Sequence, residues 1–446
     1  MNLKSIAAAA LLVMLALLPH SAAATEIQRI TSPAGIEIWL VEDHTVPVIS
    51  LAFGFEGGTA ADPMGKEGVA TLASGLFDEG AGEFDSRAFQ QRIAELGLDY
   101  GFTASADSFT GGLRTLTQNK DQAVDLLALA LTHPRFDPEP VERMRKQFLI
   151  SIEGEQRDQR SAAYRALERK MLGDHPYARS NYGSKESMSA LTPDDLRLFL
   201  KDRLTRDHLY VAAAGDITAA DLGKLVDRAF AGLPATGVPA TVPEAIVTPT
   251  GSLSVVERDI PQAAVLFAQP GVKRSDKDFF AVYLMNYVLG GGGFSSRLMT
   301  ELREKRGLTY GINTDLVTID HVGFLTGSFE TPNAKVKEAL DLLRTEWQRM
   351  AEQGPTAEEL ESARTYLLGY YPRNLTTTSK AAETLLGIQM DHLGIDYMET
   401  RRKEISAVTI EDVKRVAKAL LKADALTVVV AGKPEGLDGA ELVPTQ

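Results

Sequence analysis

The sequence predicts an α+β protein of two homologous domains, each an antiparallel-rich sheet covered by helices. Three observations support this prediction: two strings recur at one spacing, a proline-rich segment divides the chain near its middle, and predicted strand pairs are followed by groups of helices. That order of elements is typical of sheets whose helices lie on one face. A chain of 446 residues is also long enough for two or three domains.

The repeat is visible in two separate strings. Residues 189–196 (SALTPDDL) match residues 406–413 (SAVTIEDV), and residues 209–215 (LYVAAAG) match residues 426–432 (LTVVVAG), both 217 positions apart. Each copy indicates a helix that begins after an N-cap Thr with acidic residues in its first turn, followed by an apolar strand and a Gly. Two matches at one offset predict that one α+β domain was duplicated.

The segment 233–252 is predicted to link the two copies. It holds four prolines, two glycines and one charged residue, and it has neither helical nor strand periodicity. Proline stiffens and extends such a segment. The sequence therefore predicts an N-terminal domain at 25–232, this Pro-rich linker, a C-terminal domain at 253–434 and a tail at 435–446.

Hydrophobic periodicity and cap residues predict the individual elements. The predicted strands are 36–41, 47–55, 109–115, 209–214, 253–257, 263–269, 309–317, 323–329 and 426–430. The predicted helices are 68–77, 86–96, 120–132, 138–156, 161–172, 192–200, 277–289, 297–305, 335–352, 357–371, 380–392 and 410–421.

The first 24 residues predict a secretory signal peptide. Lys4 precedes an apolar run at 6–18, and small residues end at Ala24, where cleavage is expected. The 13 apolar residues of that run are short for a membrane-spanning helix, because a hydrocarbon layer of ~30 Å needs ~20. We therefore expect an exported, periplasmic protein without a stable membrane anchor.

Composition excludes several functional classes. The chain has no Cys, which excludes disulfides, thiolate nucleophiles and Cys-ligated metals. A formal net charge of −13 argues against nucleic acid as a partner and against docking on anionic lipid. Of the seven His, one lies in the predicted leader and no two of the others are three to five residues apart, so no helix turn presents a His pair.

Four further strings carry a resemblance to a known family. They are residues 65–70 (GKEGVA), 173–177 (GDHPY), 292–298 (GGFSSRL) and 302–310 (LREKRGLTY). Together with the repeat, they make the chain from about residue 27 to residue 434 resemble the insulinase/pitrilysin zinc peptidases. The most similar branch is the two-domain type that includes the mitochondrial processing peptidase and its bacterial relatives. The resemblance implies that the two domains form a clamshell.

The resemblance also locates the zinc motif of active members, H-x-x-E-H, on the helix after the GKEG string. Two His four residues apart share a helix face and can bind one metal, while the Glu serves as general base for the metal-bound water. In this chain the three positions are Thr71, Ser74 and Gly75, so both His and the Glu are missing. A further family ligand falls near Glu153, and one carboxylate does not hold catalytic zinc alone. The chain alone is therefore predicted to bind no metal and to be inactive.

The resemblance also implies a second group of site residues, in the C-terminal domain, and these are present in this chain. We call them the half-site. In active family complexes the second domain supplies an Arg and a Tyr, seven residues apart, that face the zinc across a closed cavity; here they are Arg303 and Tyr310. A guanidinium and a phenol hydroxyl can both donate hydrogen bonds to a peptide carbonyl or an oxyanion. Arg306 is a weaker candidate. Without the resemblance, a surface Arg and a half-buried strand Tyr are the simpler interpretation.

These residues imply a non-catalytic, substrate-binding subunit of a heteromeric periplasmic zinc metallopeptidase. Its partner would be a homologous chain that bears H-x-x-E-H and holds the zinc, and its ligands would be peptides. Two alternatives stay open: a metal-free structural or peptide-binding protein of the same fold, and a hydrolase that acts alone by different chemistry.

Overall fold

The first half of the molecule consists of one sheet and the helices that connect its strands. A computed structural model describes residues 26–248, 250–370 and 375–444, so the predicted signal peptide at 1–24 lies outside the described residues. The strands are β1 (Ile27–Thr31), β2 (Glu37–Glu42), β3 (Val48–Glu56), β4 (Asp99–Ala104), β5 (Ser108–Leu116) and β6 (Leu209–Gly215). The helices are α1 (Val69–Ser74), α2 (Ser86–Leu96), α3 (Lys120–Thr132), α4 (Pro138–Arg157), α5 (Gln159–Leu172), α6 (Lys185–Ala190), α7 (Pro193–Arg203) and α8 (Ala219–Phe230).

The first sheet has the strand order β1-β2-β6-β3-β5-β4. β2 is parallel to β6, and the other neighbouring pairs are antiparallel. The central strands β3 and β6 are apolar on both faces, as expected for strands that are covered on both sides. β4 lies at the edge of the sheet, and its residues alternate between exposed and half-buried.

The second half repeats this plan. Its strands are β7 (Leu253–Glu257), β8 (Gln262–Pro270), β9 (Ile312–Ile319), β10 (Val322–Pro332), β11 (Thr427–Gly432) and β12 (Glu441–Leu442). Its helices are α9 (Phe279–Asn286), α10 (Val336–Gln353), α11 (Ala357–Tyr370), α12 (Thr378–Met390), α13 (Tyr397–Ala407) and α14 (Ile410–Leu420), with π-helical segments at Tyr287–Gly291 and Met299–Glu304. Within the described ranges, no helix is long and apolar enough to cross a bilayer.

The two sheets share one topology. The second has the order β12-β7-β11-β8-β10-β9, which matches the first strand for strand from β2 to β4. Thr192 and Thr409, the repeated N-caps, each accept a hydrogen bond from the N–H three residues later and donate their own N–H to that residue's carboxylate. The outermost strands differ, because β1 is antiparallel to β2 whereas β12 is parallel to β7. The predicted α+β fold of two homologous, antiparallel-rich domains is confirmed.

Each sheet buries its inner face against helices of its own domain. In the first domain, the buried rings of Phe53 and Phe230 meet edge to face with centroids 5.2 Å apart. In the second, Trp347 on α10 is fully buried against Phe267, and its indole N–H donates to the side-chain oxygen of Gln269 at 3.0 Å. Each domain therefore has a core of its own.

The outer face of each sheet is covered by a helix from the other domain. We call α5 and α12 the crossed helices. α5, from the first domain, places Ala163, Ala166 and Leu167 on Ala264 and Leu266 of the second sheet. The reciprocal contact, made by α12 on the first sheet, buries a similar set: Ala381, Ala382, Leu385, Leu386, Trp39, Ala52, Ala212 and Ala214. Alanines on both sides let helix and sheet approach closely, and the exchange joins the two domains through two apolar interfaces.

The segment between the domains is held against both of them. Residues 236–248 form neither helix nor strand. The Val238 N–H donates to the Asp202 carbonyl at 2.9 Å in the first domain, and the Ala245 N–H donates to the His321 carbonyl at 3.0 Å in the second. At the other end of the second domain, β12 falls within the segment predicted as a tail and pairs with β7.

Candidate functional site

The three positions of the zinc motif lie on and just after α1, and two of them are hydroxyls bonded within the protein. Thr71 is buried, and its hydroxyl donates to the carbonyl of Asn181. The Ser74 hydroxyl donates to the Thr71 carbonyl at 2.8 Å. Neither hydroxyl is a usual zinc ligand, and both are used in holding the helix in place.

The remaining positions do not complete a metal site either. A Cβ built on Gly75 would lie 2.9 Å from the sulfur of Met144, so the space for a second ligand is taken by that side chain. Glu153 forms ion pairs with Lys185 and Arg157, each at 3.5 Å, while its neighbour Ile152 is the residue that enters the core. The residues present therefore do not fit zinc. Across the described parts of the chain, no group of three or more His, Asp and Glu is arranged to hold a metal.

We expect that restoring ligands at this site will not restore activity. The double variant Thr71→His, Gly75→His must displace Met144 and break the Asn181 hydrogen bond, and it leaves Ser74 where a base is needed. Zinc titration with calorimetry and a peptidase assay should show weak zinc binding and no turnover. Stoichiometric zinc in the unaltered chain, or hydrolysis by the double variant, would contradict this expectation.

Tyr310 stands at the tip of a turn and points away from the core. The Thr309 hydroxyl donates to the Gly311 carbonyl at 2.8 Å and accepts the Gly311 N–H at 3.1 Å, which closes the turn around Tyr310. Tyr310 is 83% exposed. Sequence periodicity predicted that a strand begins at 309, but β9 begins at Ile312, because this turn precedes it.

Arg303 lies in the second π-helical segment, seven residues before Tyr310. Its guanidinium carbon lies 4.6 Å above the ring of Phe294, which is itself 64% exposed. A guanidinium stacked on an aromatic face keeps its in-plane N–H groups free to donate. The arrangement presents a half-buried guanidinium stacked on an exposed aromatic ring.

Arg306, the weaker candidate, forms an ion pair with Glu301 of the π-helical segment that precedes it. Its guanidinium donates to the Glu301 carboxylate at 2.6 Å and to the Glu301 carbonyl at 3.1 Å. Lys305 donates to the same carboxylate at 2.7 Å, and hydrogen bonds from Lys305 and Arg306 lower the pKa of Glu301. Of the two candidate arginines, Arg303 is therefore the one whose charge is not used within the helix.

A cavity of about 400 Å³ adjoins Tyr310, and we call it the Tyr310 cavity. Gly293 and Met299 line it on one side, and Asn313 of β9 and Ser328 of β10 line it on another. Arg160 of α5 reaches it from the first domain and donates to the Ser328 hydroxyl at 2.9 Å. Sequence reasoning did not find Arg160, since nothing in the local sequence distinguishes it from other surface arginines.

A larger cavity of about 650 Å³, the interdomain cavity, lies between the two domains. Asp99, Gly101 and Thr103 of the edge strand β4 line one wall, and the β9–β10 turn and α12 line the others. An edge strand offers unpaired backbone N–H and C=O groups to which an extended peptide can add. Because β4 was not predicted as a strand, the sequence did not reveal this edge.

Carboxylates from both domains meet at one end of the interdomain cavity. Asp107 accepts the Tyr177 hydroxyl and, at 3.1 Å, the N–H of Asp320. Loss of solvent around its carboxyl raises the pKa of Asp320, and repulsion by Asp107 and Asp391 raises it further, although the residue is exposed overall. Loss of solvent around its carboxyl likewise raises the pKa of Asp391, although the residue stays partly open to solvent and Arg274 and a neighbouring His oppose the shift. Ionisation of these carboxyls therefore opposes the contact between the two domains at this end of the cavity.

The pH dependence of stability tests this cluster. A carboxyl whose folded-state pKa is raised stabilises the fold at low pH, and that stability is lost as the pH rises from its usual 3.8 through the raised value. Asp391→Asn removes the ionisation, so its melting temperature should exceed that of the unaltered chain more at about pH 8 than at about pH 4. Asp396→Asn, on an exposed Asp that follows α12, is the matched control. If the difference in melting temperature between Asp391→Asn and the unaltered chain did not change with pH, Asp391 would not be coupled to its neighbours.

Comparisons with known proteins identify relatives of both halves. The model of the insulinase family (peptidase family M16) matches residues 37–185, and the model described as the peptidase M16 inactive domain matches residues 190–367. A non-peptidase homologue, YmxG, of Helicobacter pylori is 25% identical over 400 residues, which cover 89% of this chain and 92% of that protein.

Two further relatives extend the comparison. The mitochondrial-processing peptidase subunit beta of Blastocladiella emersonii is 23% identical over 425 residues, covering 93% of this chain and 90% of that protein. The crystal structure of a peptidase M16 inactive domain from Pseudomonas fluorescens superimposes with a TM-score of 0.86 at 27% identity. The superposition covers 94% of this chain and all of the other.

Proposed function

Because the chain belongs to the insulinase family of peptidases (M16), we propose that it is a non-catalytic, peptide-binding subunit of a heteromeric zinc metallopeptidase. Its residues at 71, 74 and 75 leave the metal and the general base to a partner. The partner is a homologous chain that carries H-x-x-E-H. Its zinc supplies the Lewis acid and the activated water.

The observation that carries this proposal is the exposure of Tyr310 together with the unpaired donors of Arg303. A large aromatic side chain that is 83% exposed, with no hydrogen bond or ring contact to another described residue, contributes nothing evident to this fold. Seven positions earlier, Arg303 rests on an exposed Phe294 with its donors unpaired among the described residues. Two donors of this kind suit the carbonyl oxygen of a bound peptide, which gains negative charge during hydrolysis.

The interdomain cavity supports peptides as the ligands. Its wall includes the edge of β4, so an extended segment can form backbone hydrogen bonds there. The floor is formed by Ala52 of β3 and by Leu386 and Met390 of α12, which offer apolar contacts to side chains. Backbone pairing with shallow apolar contacts favours extended chains over folded proteins.

The relatives support a multi-subunit assembly. One of them is named as the beta subunit of a processing peptidase, and another as a non-peptidase homologue. We place the assembly in the periplasm, on the strength of the leader-like residues 1–24. The non-peptidase name also favours the second candidate, a metal-free peptide-binding or structural protein with no role in proteolysis.

Reconstitution with a partner separates these two candidates. The mature chain and a homologous chain with H-x-x-E-H from the same source would be co-expressed, purified as a complex, and assayed on a mixture of unfolded peptides. The proposal expects each chain alone to be inactive and the complex to be active and inhibited by a chelator. A stable chain that binds peptides but forms no active complex would favour the second candidate.

A further inference from the structure

Arg160 occupies an unusual position at the junction of the two domains. It is the second residue of α5, the crossed helix that leaves the first domain to cover the second sheet. Its guanidinium lines the Tyr310 cavity, although every other residue around that cavity belongs to the second domain. A cation from the first domain thus lines the same cavity as Tyr310 of the second domain.

One hydrogen bond fixes the guanidinium and leaves most of its donors available. Arg160 donates to the Ser328 hydroxyl at 2.9 Å, Ser328 donates to the Asn313 amide oxygen at 3.2 Å, and Asn313 donates to Asp315 at 2.7 Å. This chain of bonds orients the side chain across two strands. A guanidinium has five N–H donors. Within the described ranges, no carboxylate forms an ion pair with the Arg160 guanidinium, which makes no second hydrogen bond, although the Asp158 carboxylate attracts it at longer range.

Stability does not explain this placement. The first turn of a helix favours anions, so a cation there is opposed by the helix dipole. Asp158, the N-cap, accepts the Ser161 N–H at 2.7 Å and partly offsets the unfavourable charge. A single hydrogen bond between an exposed Arg and a Ser adds little to folding, and an oriented guanidinium with free donors is the feature of a carboxylate-binding site.

We propose that Arg160 is a specificity-determining residue that binds an acidic side chain of the peptide in the Tyr310 cavity. The inference rests on the proposed function, because it concerns the same bound peptide. Glu330, which lines the cavity two residues beyond Ser328 on β10, forms no ion pair with Arg160. Adjacent residues on one strand face lie about 7 Å apart. Glu330 is therefore positioned to repel an acidic side chain that misses Arg160.

Peptide binding to the full mature chain tests this without the partner. The probes are fluorescein-labelled, Val- and Thr-rich peptides that differ only in one residue, Glu or Gln, scanned along the peptide, with fluorescence anisotropy as the readout. We expect at least one position where Glu binds about tenfold more tightly than Gln. Arg160→Gln should abolish that preference, Arg160→Lys should retain only part of it, and Glu330→Gln should increase it.

Arg157→Gln is the matched control, since Arg157 lies three residues earlier with an 82% exposed side chain and pairs with Glu153. It should leave the preference unchanged, and the melting temperature of every variant should stay near that of the unaltered chain. Equal binding of Glu and Gln peptides, or a preference that survives Arg160→Gln, would overturn the inference while leaving peptide binding intact. If no peptide bound at all, both this inference and the proposed function would fail.

Discussion

Tyr310→Phe is expected to lower kcat/KM of the reconstituted complex by at least about tenfold, because it deletes a donor to the peptide carbonyl while keeping the ring. Removing one such donor typically costs about 10²–10³ in rate. Arg303→Lys should have a comparable effect, since Lys keeps the charge but loses the planar fork of donors that Phe294 supports. Both variants should assemble with the partner and leave its zinc content unchanged.

Two controls separate catalysis from packing in this experiment. Tyr366→Phe removes a hydroxyl from another exposed tyrosine of the second domain, one that stacks on Tyr370 at 5.9 Å, and should leave the kinetics unchanged. Arg306→Lys should act on stability alone, because Arg306 pairs with Glu301. If Tyr310→Phe and Arg303→Lys both retained the kinetics of the unaltered complex, the half-site would be disproved and a scaffold role would remain.

Leu385→Asp should destabilise both domains, although Leu385 lies on a single helix. Leu385 is fully buried between α12 and the outer face of the first sheet. Leu385→Ala should lower the free energy of unfolding by about 2–5 kcal/mol, and the Asp variant should exceed this because it buries a charge without a partner. Lys380→Asp, at an exposed position in the first turn of α12, is the control and should stay within about 0.5 kcal/mol.

The two tryptophans report the domains separately in this test. Trp39 lies in the first sheet under α12, and Trp347 lies in the core of the second domain. Urea unfolding followed by fluorescence in Trp39→Phe and Trp347→Phe backgrounds gives one signal per domain. We expect Leu385→Asp to shift both signals together, because the crossed helices couple the domains. A shift seen by Trp39 alone would mean that the domains unfold independently.

Strong local patterns account for the parts of the fold that the sequence predicted. β3 and β8 are long apolar runs, and α2 and α3 have clear periodicity and end where helix caps were expected. The strands that were missed, β1, β4 and β12, all lie at sheet edges, where short, partly polar strands carry little hydrophobic signal. Three helices were also missed: α6, α8 and α13.

The site was predictable only where the resemblance pointed to particular positions. It named Thr71, Ser74 and Gly75, and the structure adds that the Thr71 hydroxyl is bonded to the Asn181 carbonyl and that the Met144 side chain lies beside Gly75. It named Arg303 with Tyr310 and ranked Arg306 as a weaker candidate, whereas the ion pair that occupies Arg306, with Glu301, becomes visible only once the helix is formed. Arg160 depends on the path of α5 into the other domain, which no local pattern encodes.

The crossed helices also set the order in which this chain can finish folding when it emerges with its N-terminus first. The first domain is complete at Phe230, but Thr378, where α12 begins, is 148 residues later in the chain. Until α12 has emerged, the apolar outer face around Trp39 and Ala212 has no cover. α5, in contrast, emerges before the strands of the second sheet that it covers. Exposed apolar sheet faces are where partly made chains aggregate. A chain that has emerged only as far as its second sheet is therefore prone to aggregate until α12 has followed.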